Sequence, residues 1–292
     1  MKNNLNELFE KTVAISGASG GLGQELCFLL AKDGAKLVLI DRNKEKQRSL
    51  ISKLNSRFPK TEVRGLIADM EDMTSVYELE KELENIQLDY LILNAGAYSI
   101  PRHTASTGYD NVFQINFVSP YYLAKRLLPS IRQRGGKIVA VGSIAHNYSR
   151  VDASDIDFST RRKSSKVYGN SKRYLMYSLL SLAEQGEPIA VAHPGITFTG
   201  ITAHYPKLVF AIIKNPMKII FMKPKKACLS IYQALFEETQ GFSWIGPRFF
   251  SIWGRPKVSK LKSVSKDEIA LILRNAEEIY DSLDGQDASH TR

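Results

Sequence analysis

The feature that most constrains the fold is an alternation of short apolar runs with longer amphipathic segments over the first two-thirds of the chain. The runs are rich in Val, Ile and Leu and nearly continuous in apolar residues, as expected for strands covered on both faces. They occupy residues 12–16, 36–40, 62–67, 90–94, 137–142 and 189–193. Segments of helical period lie between them, at 22–33, 44–57, 75–85, 109–134 and 171–185. This pattern predicts an α/β fold with a doubly wound, Rossmann-type parallel sheet of about seven strands and helices on both faces.

The pattern changes after Pro194. An apolar and basic insertion at 201–226 is followed by a helix near 227–238, a short strand at 243–245 and a C-terminal helix at 266–283. Residues 284–292 are predicted to form a disordered tail. Because no internal repeat or low-complexity linker separates these parts, we expect residues 1–292 to form a single domain.

Composition and charge limit the compartment and the partners. The chain is 43% apolar and 24% charged, its first residues MKNNLNELFEK contain no apolar run typical of a signal peptide, and it has two cysteines without metal-ligand spacing. We therefore expect a cytoplasmic protein without a metal site. The net charge of +10 is concentrated between positions 200 and 266, where twelve Lys or Arg face two acids. Such a region could meet an anionic membrane or an acidic substrate, but no motif for nucleic acid accompanies it.

A glycine-rich turn, SGASGGLG, follows the first strand and precedes the first helix. Gly17, Gly21 and Gly23 lie where the chain must turn tightly, approach a pyrophosphate and pack a helix close to the sheet. The free N–H groups and the dipole of the helix N-terminus favour phosphate there. This context predicts a dinucleotide site.

Asp41 ends the second predicted strand, where a carboxylate can accept hydrogen bonds from the adenosine ribose. The same carboxylate repels a 2′-phosphate, which favours NAD over NADP. Arg42 follows directly and could contact a phosphate instead, so NADP stays open.

Tyr168 and Lys172, in YGNSK, are four positions apart on one helical face. A neighbouring ammonium stabilises a phenolate and lowers the pKa of tyrosine toward the range useful for proton transfer. Ser143 ends a predicted strand at the edge where such folds bind ligands, and its hydroxyl could hold a substrate carbonyl. Asn116 is an unusual polar residue in an apolar helix. It is either a satisfied core amide or a group that holds water behind Lys172.

Taken together, these motifs resemble the classical short-chain dehydrogenase/reductase family over residues 11–199. Besides the glycine turn, the matching positions are Asp69, the NAG triplet at 94–96, Asn116, Ser143, YGNSK and PGITFT at 194–199. Leu93 replaces an Asn found in many members. Ser143 and Tyr168 are 25 positions apart, about a dozen more than in the commonest members, and this gap is similar to the retinol-dehydrogenase-like branch. His146, three residues beyond the serine, strengthens the match and is interpreted as structural.

The resemblance implies a role for each matching residue. Tyr168 would be the acid/base, Lys172 would lower its pKa and hold the nicotinamide ribose, Ser143 would orient the carbonyl, and Asn116 would complete a water relay. Asp69 would meet the adenine ring, and Ile196 and Thr199 would hold the carboxamide. The full set of predicted cofactor contacts is Gly17, Ser19, Gly21, Leu22, Gly23, Asp41, Arg42, Asp69, Met70, Asn94, Ala95, Gly96, Tyr168, Lys172, Pro194, Gly195, Ile196 and Thr199.

The segment at about 200–226 is predicted to be a substrate lid. Lys207, Lys214 and Lys218 recur at helical spacing among apolar residues, so the stretch 204–226 is either a lid with a solvated lysine face or an interfacial helix that touches anionic lipid. Both alternatives predict a small apolar alcohol or carbonyl substrate, retinoid-, steroid- or lipid-like. Family resemblance implies a homodimer or homotetramer through the helices at 109–134 and 171–185, with a monomer left open. The alternatives in function are a non-catalytic dinucleotide-binding regulator and an NADPH-dependent carbonyl reductase.

Overall fold

The computed structural model describes residues 7–196 and 222–290. Within these ranges eight strands form one sheet in the order β3-β2-β1-β4-β5-β6-β7-β8. The strands are β1 (Thr12–Ser16), β2 (Lys36–Asp41), β3 (Val63–Ile67), β4 (Tyr90–Leu93), β5 (Lys137–Val141), β6 (Ile189–Ala192), β7 (Ser243–Phe249) and β8 (Trp253–Lys260). The first seven pair in parallel, which confirms the predicted doubly wound α/β sheet.

The helices cover both faces of the sheet. They are α1 (Gly21–Lys32), α2 (Lys44–Arg57), α3 (Met73–Glu84), α4 (Asn111–Phe113), α5 (Ser119–Gln133), α6 (Ser164–Glu184), α7 (Pro224–Ala234) and α8 (Lys266–His290). On one face α3, α5, α6 and α8 build a core that includes Tyr121 and Tyr174. On the other face α1, α2 and α7 build a second core that includes Leu26 and Ile231. Strands between two such layers are buried on both sides, which is why they read as continuous apolar runs.

The prediction of about seven parallel strands missed β8. This strand is antiparallel to β7 and lies at the edge of the sheet, with Pro247 opposite Pro256. Its sequence, WGRPKVSK, contains Gly, Pro and three cations. An edge strand is exposed to solvent on one side, so it tolerates these residues and needs no long apolar run. Periodicity therefore gave no signal for it.

Two helix boundaries also differ from the prediction. Helix α6 begins at Ser164, seven residues before the predicted start at 171. The disordered tail predicted at 284–292 is wrong for its first part, because α8 continues to His290. Asp284 pairs with Arg126 at 2.9 Å, and Asp287 pairs with Lys81 at 3.2 Å. The acids that suggested a solvated tail therefore hold the last turns of α8 against the rest of the protein.

Helix α8 lies against both helices through which a dimer was predicted. Glu277 accepts hydrogen bonds from Tyr121 at 2.6 Å and from Lys125 at 2.8 Å, both on α5. Asn275 donates to the hydroxyl of Tyr174 on α6 at 2.8 Å. The chain's own C-terminal helix therefore occupies part of the surface assigned to assembly.

No helix within 7–196 or 222–290 combines the length and apolar character needed to cross a bilayer. Thr199 and most of the predicted lid at 200–226 lie outside the described residues. The last residues of that lid, from Pro224, form the first turn of α7.

A buried ion pair joins α6 to α8 and should contribute strongly to stability. Arg173 donates to Glu268 at 2.8 Å and to the carbonyl of His146 at 2.8 Å, and the same carboxylate accepts from the Val151 amide at 3.0 Å. Replacing Glu268 with Ala leaves the buried guanidinium without its counter-charge, so we expect the free energy of unfolding to fall by about 3 kcal/mol. Urea denaturation measures this change.

The matched control is Glu82→Ala, which breaks the exposed pair between Arg64 and Glu82. An exposed pair is screened by water, so that variant should lose less than about 1 kcal/mol. Equal losses in the two variants would contradict the assignment of Arg173–Glu268 as a structural anchor.

Candidate active site

A cavity of about 620 Å³ opens at the carboxyl ends of the parallel strands, where the strand order reverses between β1 and β4. Open α/β sheets bind ligands at such a switch point. Among the described residues, the cavity is lined by every residue predicted to bind cofactor or do chemistry except Asn116. These lining residues are Gly17, Ser19, Gly21, Leu22, Gly23, Asp41, Arg42, Asp69, Met70, Asn94, Ala95, Gly96, Ser143, Tyr168, Lys172, Pro194, Gly195 and Ile196.

The turn after β1 has the geometry that the glycines predict. Gly17 has a φ of +65°, a left-handed conformation that side chains rarely adopt. A Cβ on Gly23 would lie 2.4 Å from the carbonyl oxygen of Gly17, so only glycine lets α1 pack this close to the turn. Gly20, the N-cap of α1, has no side chain to satisfy the first N–H groups of the helix. These donors face the cavity rim and suit a phosphate.

Asp41 has one paired and one unpaired oxygen. Its Oδ1 accepts from the amide of Ser19 at 2.9 Å and from the hydroxyl of Ser19 at 2.8 Å. Its Oδ2 is buried and has no hydrogen-bond partner among the described residues. Burial raises the pKa of this carboxyl, and the two Ser19 contacts oppose the shift. A buried acceptor without a donor is costly, so a hydroxyl donor from a ligand fits this position.

The end of β4 is tied to the end of β1. The amide side chain of Asn94 donates to the carbonyl oxygens of Ser16 at 2.9 Å and Gly17 at 3.1 Å, while the Ser16 hydroxyl accepts from the amides of Asn94 and Ala95, each at 3.0 Å. These bonds fix the NAG triplet against the glycine turn. Asn94 therefore acts on the shape of the cavity as well as lining it.

Asn116 lies in a π-helical turn, Gln114–Val118, rather than in a regular α-helix. Pro120, four residues later, has no N–H to donate to the Asn116 carbonyl, which explains the local widening. The Asn116 side chain is fully buried and bonds to both the N–H and the C=O of Ala97, at 3.0 and 2.8 Å. The structure thus satisfies the core-amide interpretation, with Asn116 directly behind Gly96.

Tyr168 and Ser143 meet in the cavity. The contact with the Ser143 side chain lowers the pKa of Tyr168, but the loss of water around the ring raises that pKa more, to about 12. Tyr98 packs edge-on against Tyr168, with ring centroids 5.2 Å apart, and adds to the rise. A pKa lowered by Lys172 is therefore not what this structure shows. The cause is that burial, which the sequence pattern does not reveal, outweighs the contact with Ser143.

Lys172 is almost fully buried. Its Nζ donates to the carbonyl oxygen of Val141 at 2.9 Å and lies 5.9 Å from the centre of the Tyr168 ring. The ammonium thus points at the end of β5 and not at the phenol oxygen. Loss of water lowers the pKa of Lys172 to about 8. Below that pH the cavity contains a positive charge beside the Tyr168 ring.

Three aromatic or titratable side chains of the cavity were missed. Tyr98, Tyr148 and His193 line it together with the predicted residues. His193 ends β6, so the rule that functional groups follow parallel strands could have found it. Its ring stacks on Trp244 at 4.8 Å, and burial lowers its pKa to about 4. Tyr98 and Tyr148 lie in loops and carry no sequence signal of their own.

His146 does not line the cavity. It is buried, its Nδ1 lies 2.7 Å from the Ser143 carbonyl oxygen, and its ring packs edge-on against Trp244. Burial lowers its pKa. These contacts are consistent with the interpretation of His146 as structural: it holds the chain that follows Ser143.

The burial of Lys172 can be tested by measuring how the stability of the protein depends on pH. Between about pH 8 and the ordinary lysine pKa of 10.5, the unfolded chain holds a proton that the folded chain has released. The free energy of unfolding should therefore rise with pH in this window, by at most about 1.4 kcal/mol per pH unit. Lys172→Met lacks this group, so its stability relative to the native protein should fall as pH increases through the window.

Urea denaturation of both proteins at several pH values from neutral to alkaline measures this difference. Below pH 8 the lysine is charged in both states, so the difference between the two proteins should be flat there. Parallel profiles across the whole range would show that Lys172 is not desolvated.

The chain is similar to known oxidoreductases. The short chain dehydrogenase family matches residues 11–155. An uncharacterized oxidoreductase of Schizosaccharomyces pombe is 29% identical over 81% of this chain and 75% of its own length. Human polyprenol dehydrogenase is 25% identical, over 80% and 74%. Human retinol dehydrogenase 13 is 27% identical, over 66% and 61%.

Among solved structures, an uncharacterized protein from Mycobacterium paratuberculosis covers 94% of both chains with a TM-score of 0.69 and 24% identity, a likeness of fold. The curated relatives extend that likeness to sequence over most of the chain. The chain belongs to the short-chain dehydrogenase family, in its retinol-dehydrogenase-like branch, and is an NAD(P)-dependent oxidoreductase that acts on CH–OH groups.

Proposed function

We propose that this protein transfers a hydride between nicotinamide and an apolar alcohol, ketone or aldehyde, with Tyr168 as the acid/base. The observation that carries the proposal is that Ser143, Tyr168 and Lys172 line the same cavity as Asp41 and the glycine turn, with the Ser143 side chain next to the phenol. A hydroxyl pair next to a buried cation has no packing reason to occupy a dinucleotide pocket.

The residues present fit a dinucleotide. The N-terminus of α1 and the turn at Gly17–Gly23 would hold the pyrophosphate, the unpaired Oδ2 of Asp41 would accept from a ribose hydroxyl, and Asp69 would lie toward the adenine. Lys172 would donate to the ribose next to the nicotinamide. When bound, the nicotinamide supplies or takes up the hydride.

The chain's own groups handle the proton. With a pKa of about 12, Tyr168 is a neutral phenol at physiological pH, the form that can donate to a carbonyl oxygen as the carbonyl carbon gains a hydride. Ser143 would hold the same oxygen. The positive charge on Lys172 stabilises the phenolate that this transfer leaves. We keep Asn116 as the residue that would hold a water of a proton relay, because its Oδ1 has a lone pair not used by Ala97 that would accept a hydrogen bond from that water.

An apolar substrate suits the wall of the cavity opposite the glycine turn. This wall is formed by Tyr98, Ile100, Ile144, Ala145 and Tyr148. Large ligands are recognised mostly by such apolar surfaces, with a few polar groups that set orientation. The names of the relatives, polyprenol and retinol dehydrogenases, support a lipophilic alcohol or its carbonyl as the substrate class.

NAD is the cofactor we favour within NAD(P). A 2′-phosphate would approach the Asp41 carboxylate, which is buried and has no cation paired with it among the described residues. The observation that favours the alternative, an NADPH-dependent carbonyl reductase, is that Arg42 and Lys46 also line this end of the cavity.

We propose a cytoplasmic protein. Helix α8 is bonded to α5 and α6 and covers part of the surface of both, so this packing gives no support to the predicted homodimer or homotetramer, and a monomer stays open. Cys27 and Cys228 are free and buried, as suits a reducing compartment. The membrane contact predicted through 204–226 falls largely outside the described residues and stays a prediction.

The first test separates an enzyme from a dinucleotide-binding regulator. Tyr168→Phe removes the proton donor and nothing from the glycine turn, so turnover should fall at least about a hundredfold while dinucleotide affinity stays nearly the same. Nicotinamide absorbance with a panel of retinoids, steroids and long-chain alcohols measures turnover, and fluorescence titration measures affinity.

Tyr232→Phe is the control, because its hydroxyl bonds to Asp33 at 2.6 Å, away from the cavity. It should turn over like the native protein. Native-like turnover by Tyr168→Phe would sink the assigned role, and a native protein inactive on the whole panel would favour the regulator.

The second test concerns the cofactor. Asp41→Ser removes the charge that repels a 2′-phosphate, so the ratio of NADPH to NADH affinity should rise on the order of tenfold. Glu45→Ser is the matched control, since Glu45 is an exposed acid four residues later that does not line the cavity. An unchanged ratio in Asp41→Ser would contradict the role given to this carboxylate.

A further inference from the structure

The tip of the β7–β8 hairpin exposes an aromatic cluster formed by Phe249, Phe250 and Trp253. These side chains are 57%, 86% and 39% exposed, and they make up half of the six large apolar side chains that are exposed in the described residues. Phe249 and Trp253 face each other across the hairpin. An apolar patch confined to the end of one hairpin is typical of an interaction site.

The turn itself is an unusual place for phenylalanine. Phe250 and Ser251 have φ values of +50° and +56°, and the Ile252 amide donates to the Phe249 carbonyl at 2.9 Å, which makes a type I′ turn. Such turns strongly favour Asn-Gly because both central residues need positive φ. A bulky residue in this conformation, with its ring in water, stabilises neither the turn nor the core. Its presence indicates a role outside the folding of the chain.

All the charged residues of the β7–β8 hairpin are cationic. Residues 243–260 contain Arg248, Arg255, Lys257 and Lys260, all exposed, and no acid. Two copies of this hairpin would repel each other, which argues against a second copy of the chain as the occupant. Aromatic side chains next to lysine and arginine suit the boundary between anionic headgroups and acyl chains.

We propose that the β7–β8 hairpin tip is an anchor that inserts Phe249, Phe250 and Trp253 into an anionic lipid bilayer. In sequence, this surface is distinct from the lysine-rich stretch at 204–226. The anchor lies beside the catalytic cavity, because Ser251 and His193, which lines the cavity, are in contact at 3.0 Å. The proposal does not depend on the substrate, so a failed activity assay leaves it standing and a failed binding assay leaves the activity standing.

The chain offers an internal probe. It has two tryptophans, of which Trp244 is 4% exposed in the core and Trp253 is in the aromatic cluster. Trp253 emission should shift to the blue when vesicles of phosphatidylcholine with phosphatidylglycerol are added to the full-length protein, and brominated acyl chains should quench it. Vesicles of phosphatidylcholine alone should give a much smaller response, and salt should weaken binding. Trp253→Phe, which leaves only Trp244, should show neither shift nor quenching.

The decisive variant is Phe250→Asn. Asparagine suits a type I′ turn better than phenylalanine, so the fold should be kept or stabilised while vesicle affinity falls about tenfold or more, the loss expected for one buried aromatic ring. The matched control is Phe9→Ser. Phe9 is 64% exposed, but it precedes β1 and lies at the amino ends of the parallel strands, whereas the hairpin tip follows the carboxyl end of β7. Its removal should therefore leave vesicle affinity unchanged.

Four results would overturn the proposal. Trp253 emission could ignore anionic vesicles. It could shift with protein concentration before lipid is added, which would identify a second copy as the occupant. It could also be shielded from acrylamide in the free protein, which would show that another part of this chain covers the cluster. Equal loss of vesicle binding in Phe9→Ser and Phe250→Asn would likewise remove the hairpin as the anchor.

Discussion

The hydrogen bond from Lys172 to the Val141 carbonyl is the interaction on which the site depends. It joins α6 to the end of β5, and therefore joins the element that carries Tyr168 to the one that carries Ser143, two residues beyond Val141. Without it, the phenol and the serine would lose the bond between their own elements, and α6 would be held to the chain after Ser143 by contacts such as the bond from Arg173 to the His146 carbonyl. The bond places an ammonium in a region with little water. The lowered pKa of Lys172 reflects the free energy needed to keep that charge away from water. A lysine at this buried position is explained by the chemistry of the cavity and not by the stability of the fold.

The parallel sheet could be predicted because its strands are buried on both faces and therefore leave continuous apolar runs in the sequence. The glycine turn, Asp41 and YGNSK could be predicted because the chemistry of a dinucleotide and of a phenol limits which residues can stand there. Strand β8 could not be predicted, because its pairing partner and the exposure of its side chains are set by the position of β7 in the folded sheet. The end of α8 was missed for a similar reason: its acids are polar in sequence but bonded in the fold.

The pKa of Tyr168 shows a second limit of sequence. The spacing of Tyr168 and Lys172 correctly predicts a shared helix face, but the direction of the pKa shift depends on how far each group is from water and where the ammonium points. Tyr98, placed by a loop, crowds the phenol and could not be found from periodicity. The positions that sequence reasoning found are fixed by backbone geometry, whereas those it missed are fixed by long-range packing.

The topology also couples the hairpin to the cavity. Parallel strands deliver all their carboxyl ends to one edge of the sheet, and the ligand cavity must lie there. Because β7 is parallel to the others and β8 is antiparallel, the turn between them is forced to the same edge. An anchor at that turn can hold a lipid surface only on the side of the sheet where the cavity opens. A single reversed strand at the edge therefore suffices to orient the cavity toward whatever the aromatic cluster binds, with no further domain.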